Sequence, residues 1–287
     1  MNQQIPKDWR PGVRMRRVGR ELRKWRDQAG LKATDVARQL QWAPSKLSKL
    51  EHAAQPIQGV DVLALAIVYG VREPERERLF TAAATAKEPG WWSEYETVLS
   101  PAAADFVELE SEASQERTLQ TQIIPALLQT DEYSRELLRG AVPPPTSSTI
   151  EQRVQVRATR RARLHAAEAI SVDAVIWEPA LRMSIGGARV MREQLRHLVS
   201  LADLPNVTIR IVPANAGSYP ALGSAYEVLS FAEDHLGDVA YLENLTYGVY
   251  LDLAEEVRAF RSHFEGAAKC ALGPASSRTL LVDLARG

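Results

Sequence analysis

The stretch GLKATDVARQLQWAPSKLSKLEHAAQPI, residues 30–57, decides how the first part of the chain is read. Gly30 is a helix C-cap residue and closes whatever precedes it. Asp35 to Gln41 is short and carries Val36, Ala37 and Leu40 inward, as a small helix does. Gln41-Trp42-Ala43 is a tight connection, and Pro44 suits a first helical position, where a missing N–H costs nothing. The next helix, Ser45 to about His52, hides Leu47 and Leu50 and turns Ser45, Lys46, Ser48 and Lys49 outward.

Working outward, residues 13–29 predict a longer helix. Val18, Leu22, Trp25 and Ala29 share one face, and Arg14, Arg16, Arg17, Arg20, Arg23 and Lys24 cover much of the rest. A helix at about 59–70 is apolar nearly all round and is expected at the centre; another at about 74–86 uses Leu79, Phe80 and Ala83. The fold class that follows is an N-terminal all-α five-helix domain over 1–86. A Pro/Gly-containing linker spans 87–90, and a C-terminal domain with mixed α and β structure spans 91–287.

Charge separates the two parts. Residues 1–53 hold 13 Lys+Arg against 5 Asp+Glu, a net of +8, whereas the remaining residues carry a net of −9. A basic head on an acidic body is the charge layout of a small nucleic-acid reader attached to something else. Two short helices joined by a tight turn, the second polar and basic outside, form a helix-turn-helix, whose second helix fits the DNA major groove. Ser45, Lys46 and Lys49 are the candidates for base edges, and Ser48 for a base or a phosphate. Lys32, Arg38 and Arg16 are the candidates for phosphates, which position the protein without reading sequence.

The body is harder to read. In it, a helix is expected at 103–120, a loop at 121–130, helices at 131–140 and 150–168, and an exposed loop at 143–149. SVDAVIW (171–177), VTIRIVP (207–213), AYEVLSF (225–231) and DVAYLEN (238–244) predict about four strands. Helices are expected near 188–203, 252–271 and 276–285. The five histidines have no metal-ligand spacing, and nucleophile-elbow and phosphate-loop motifs are missing, so neither an enzyme, a cofactor nor a metal is expected. Glu108, Glu110 and Glu112 read as a solvated face, and Cys270 as a small buried apolar residue. Trp91, Trp92 and Tyr95, clustered after the linker, and Trp177 are the candidates for a ligand or partner contact. One cysteine, no apolar leader and no membrane-length apolar run suit a cytoplasmic protein, nucleoid-associated if it binds DNA.

Residues 30–57 resemble the XRE-type, lambda-repressor-like helix-turn-helix domain, with S-K-L-S-K-L-E as recognition helix. Ala33, Gln41 and Ala43 depart from its usual Gln, Gly and Ser/Thr. The second part is similar to the uncharacterised C-terminal domain of actinobacterial WhiJ-like regulators, through FVELE (106–110), IIPALLQTDEYSRELL (123–138), RVQVRATRR (153–161), WEPALR (177–182) and PNVTIRIVP (205–213). Ala126 and Trp177 depart from that pattern. The resemblance implies a regulator of development or secondary metabolism, often paired with a small acidic protein. The expected partners are double-stranded DNA, a second copy of the chain, a small acidic protein or a small-molecule effector. The alternative is an antitoxin-like scaffold that sequesters the acidic partner and binds DNA for autoregulation.

Overall fold

A computed structural model describes residues 11–86, 88, 90–232, 237–244 and 247–286. Lys87 and Pro89 of the expected linker, His235, and the first ten residues lie outside the described set. Chain contacts divide the protein into two compact units, 1–91 with 233–237, and 92–232 with 238–287.

Among the described residues the first unit contains five helices: α1 Val13–Gln28, α2 Ala33–Gln39, α3 Pro44–Glu51, α4 Gly59–Tyr69 and α5 Glu75–Thr85. Its core is built from Met15, Val18, Leu22 and Trp25 of α1, Leu47 and Leu50 of α3, Val62 and Leu65 of α4, and Leu79 of α5. Gly30 ends α1 at φ +67°, a conformation that a Cβ makes costly. Gly19 is required for another reason: a Cβ there would lie 2.7 Å from the Leu50 carbonyl oxygen, so glycine lets α1 and α3 approach this closely.

The expectation for α4 is overturned. Its run is apolar all round, yet Val60, Leu63 and Ile67 are exposed, while Val62, Leu65, Ala66 and Tyr69 are buried and Val68 packs half-buried against the core. Apolar composition fixed neither its depth nor its orientation.

Among the described residues the second unit has a mixed sheet of six strands, not four. They are β1 Gln115–Gln120, β2 Ser171–Trp177, β3 Val207–Val212, β4 Tyr226–Ser230, β5 Val239–Glu243 and β6 Gly248–Leu251, in the order β3-β2-β1-β4-β5-β6. β1, β2 and β3 run parallel, and β4, β5 and β6 continue antiparallel. The parallel pairs need crossovers. α7 Asp131–Arg139 and α8 Ser147–Ala162 lie between β1 and β2, and α9 Glu178–Arg182 and α10 Gly187–Leu201 between β2 and β3. α6 Pro101–Glu112 precedes the sheet, and α11 Ala254–Cys270 and α12 Pro274–Arg286 follow it. The expected loop at 143–149 is half helical, because Thr146 caps α8 by accepting from Thr149 N–H at 3.1 Å.

The helix expected over 103–120 ends at Glu112, and the remainder is the interior strand β1. Leu119 joins the apolar core under α11 with Val175, Val228, Val257 and Phe264. The alternate residues Glu116, Thr118 and Gln120 are buried as well, so β1 has no apolar/polar alternation. Glu108 and Glu110 are also buried, contrary to the solvated face expected of them. Arg160 of α8 explains Glu110: its Nε and Nη2 donate to the two carboxylate oxygens at 2.6 and 2.7 Å. Cys270 is exposed rather than buried, at the last residue of α11.

A second polar hub fixes the segment before α7. Gln129 donates to the Ile124 carbonyl at 2.7 Å, and its Oε1 accepts from Ser134 Oγ at 2.9 Å and Arg157 Nη1 at 2.7 Å. Gln194 of α10, also fully buried, donates to Leu128 O and accepts from Thr130 N–H, both at 2.7 Å. Two glutamines thus satisfy the backbone of a segment with little regular structure of its own.

Candidate nucleic-acid interface

α2 and α3 are joined by a four-residue turn, Leu40 to Ala43, whose geometry shows the cost of two departures from the usual pattern. Gln41 takes φ +53°, where glycine is the unstrained choice. Ala43 stands at the N-cap of α3 with φ −60° and ψ 137° and offers no side-chain acceptor. Pro44 compensates in part, being preset for the first helical position.

α3 is held from beneath and from its far end. Leu47 and Leu50 are fully buried. Glu51, with a side chain 4% exposed, receives Arg26 of α1 in a two-pronged pair, Nε to Oε1 at 2.6 Å and Nη2 to Oε2 at 3.1 Å. Arg26 also donates to the Leu31 carbonyl at 3.0 Å. The hydrogen bond that Arg26 donates to Glu51 is the main reason that the Arg26 pKa rises above the usual arginine value, against burial. One guanidinium therefore ties α1, the α1–α2 turn and α3 together. Neither Arg26 nor Glu51 was among the residues singled out from the sequence; the only signal was a charged pair, R and E, on apolar helix faces.

The outward side of α3 presents Ser45, Ser48 and Lys49, all exposed. Lys32, the N-cap of α2, and Arg38 are exposed beside them on the neighbouring helix. Arg38 pairs with Asp35 one turn back at 3.1 Å, a contact between two open side chains that water and salt weaken. Arg16 is half-buried and donates to the Pro11 carbonyl at 2.7 Å, so it is partly engaged by its own chain.

Lys46 behaves differently from its neighbours. Its ammonium donates to Asp61 Oδ1 at 2.6 Å and lies 3.8 Å from the centroid of the Trp42 ring. Asp61 is buried and also accepts from the Gln58 backbone N–H at 3.1 Å, closing the capping box of α4. Lys46 thus pins α3 to the start of α4, while Ser45, Ser48 and Lys49 remain open. The sequence signal for Asp61 was the Q-x-x-D spacing at 58–61, a capping-box pattern.

The residues put forward for a ligand or partner are not gathered into one site. Trp91, Trp92 and Tyr95 share a short 3-10 turn and are half-buried. Trp177 ends β2 and packs on the apolar core beneath α11.

No helix among the described residues is long and apolar enough to cross a membrane. No curated protein and no solved structure matches the chain. Residues 17–79 match a family model described as a helix-turn-helix domain. Residues 103–283, more than half of the chain, match the model of a domain of unknown function, DUF5753. The chain therefore belongs to the DUF5753 family and carries a helix-turn-helix domain ahead of it.

Proposed function

We propose that the protein is a sequence-specific DNA-binding transcription regulator that acts as a dimer and works by binding rather than catalysis. The observation that carries this reading is α3: one side is locked by Leu47, Leu50 and Glu51, and the other offers Ser45, Ser48 and Lys49 to a groove. The hydroxyls of Ser45 and Ser48 and the ammonium of Lys49, in the last turn of α3, are groups that meet base edges, and Lys32 and Arg38 on the neighbouring helix suit phosphates. A single helix makes few base contacts, so tight specific binding calls for two copies on half-sites about 10 bp apart, or a multiple. The second unit then serves dimerisation and the sensing of a ligand or partner, in a cytoplasmic, nucleoid-associated regulator of development or secondary metabolism.

The experiment is capture and sequencing of genomic DNA fragments on the purified full-length protein, beside a Ser45→Ala/Lys49→Ala variant. A shared palindromic motif that the variant loses is the expected result. Capture without a motif makes the basic head a non-specific anchor and overturns the reading; a small acidic protein co-purifying in its place turns the function toward a scaffold.

A further inference from the structure

A groove of the second unit combines charge and apolar surface in a way that DNA reading leaves unused. It lies between α10 and α12, has a volume of about 560 Å³, and is lined by Arg192, Arg196, Val199, Val282, Ala285 and Arg286. Arg192, Arg196 and Val199 fall on one stripe of α10, at i, i+4 and i+7. Val282 and Arg286 repeat the i, i+4 spacing on α12. The floor is therefore apolar and the rim cationic, and no carboxylate is among the lining residues.

Two of the three rim arginines differ from those around them, whereas Arg286 lies 4.0 Å from Asp283. Elsewhere in this unit Arg135, Arg161, Arg182, Arg189 and Arg278 each have an acidic partner. Arg192 and Arg196 are exposed, and among the described residues neither guanidinium has a hydrogen-bond or ion-pair partner. Two unpaired like charges on adjacent turns repel each other, which an anion held between them relieves.

We infer that this groove binds an amphiphilic carboxylate, an apolar chain on Val199, Val282 and Ala285 with its carboxylate against Arg192 and Arg196. An inorganic anion would leave the apolar floor wet, and a plain hydrocarbon would leave the guanidiniums unused. The volume falls within the range of small-molecule sites, whereas a stable protein interface covers about 800 Å² per partner, more than six side chains offer. The inward side of α10 carries Gln194, which holds the Leu128–Thr130 backbone. α12 carries Ser277, whose Oγ accepts from the Ile211 N–H of β3 at 3.0 Å. A ligand bridging the two helices consequently grips both the 124–130 segment and the sheet edge. Only the effect on DNA affinity rests on the regulator reading; binding does not.

The test is titration calorimetry on the full-length protein without DNA, using dodecanoate below its micelle concentration, with acetate and dodecylammonium as controls. Saturable one-to-one binding of dodecanoate is expected, with both controls weaker by about tenfold or more. Arg192→Gln/Arg196→Gln and, separately, Val282→Asn should each lose about tenfold while melting like the wild type; the second variant serves if the first unfolds. No saturable binding, equal binding of dodecylammonium, or equal binding by a folded variant overturns the proposal. So does a change in sedimentation of the arginine variant without dodecanoate binding, which makes the groove a contact between copies. Operator affinity is measured separately: dodecanoate that binds without changing it leaves the site standing and removes the sensing role.

Discussion

The Nζ of Lys46, on the recognition helix, sits 2.6 Å from Oδ1 of Asp61, the residue that closes the capping box of the next helix. A cation in the position of a base reader is thereby part of the scaffold. Lys46→Ala is expected to destabilise the first unit by about 1 kcal/mol, leaving Asp61 buried without its cation. Lys49→Ala, on the open side, should leave stability within about 0.5 kcal/mol and weaken operator binding by about 1–3 kcal/mol. Thermal melts and operator titrations on both variants check this; equal stability of the two removes Lys46 from its structural role.

Ala43 leaves α3 without a side-chain cap. Ala43→Ser supplies an acceptor for the free N–H groups of the first turn and should stabilise the unit by about 1 kcal/mol. The readout is the urea midpoint of unfolding. An unchanged or lower midpoint means that the turn cannot place the new hydroxyl.

Arg160 and Glu110 are 8% and 1% exposed as residues and joined by two hydrogen bonds. Arg160→Met should cost about 3–5 kcal/mol, because it strands a buried carboxylate. The double variant Arg160→Met/Glu110→Leu should recover much of that loss, since two apolar groups leave no charge unpaired. A double variant as unstable as the single one shows that the wider network, not the pair, carries the loss.

The same interior makes the second unit sensitive to alkali. Burial, and then the charge of Glu243, pushes the Glu227 carboxyl up to about 8, and burial together with Glu110 raises Glu116 well above the usual carboxylate range. Both stay protonated in the folded protein where the unfolded chain has ionised them. Their contribution is thus complete below the ordinary carboxylate pKa and is lost as pH rises through the folded values. Urea midpoints should fall between about pH 5 and about pH 8. Glu227→Gln retains an oxygen acceptor for the Gln120 amide, which donates to Glu227 at 2.8 Å, and should flatten that fall. A slope identical to the wild type removes Glu227 as a source of it.

The first unit was legible because its punctuation is local. Gly30 and Pro44 mark the ends of α1 and α3 close to where the structure has them, and Leu47 and Leu50 are the buried pair of the recognition helix. Local pattern failed where a distant partner changes what a residue means. Glu110 looks like surface until Arg160, fifty residues later, is placed on it. Glu116, Thr118 and Gln120 conceal an interior strand because one of its two buried sides is polar, and β6 Gly248–Leu251 is too short to declare itself. Lys46 reads from the sequence as an outward residue of α3, but the reach of Asp61 from α4 is a tertiary fact. The arginines of the α10–α12 groove carry no signal of their own in the sequence, since a groove needs two helices and sequence periodicity describes one.

The order β3-β2-β1-β4-β5-β6 also bears on how the chain is made. β1 lies inside the sheet, yet its neighbours are β2, which begins at Ser171, and β4, which begins at Tyr226. During synthesis it must wait for most of the second unit before both edges are covered, with Glu116 and its polar neighbours keeping the waiting strand from being a sticky apolar ribbon. The helices of the first unit close over short loops and need no such delay. The reading head is therefore expected to reach its native form on the ribosome while the body is still incomplete, so truncated chains retain a basic, folded head able to compete for the same DNA.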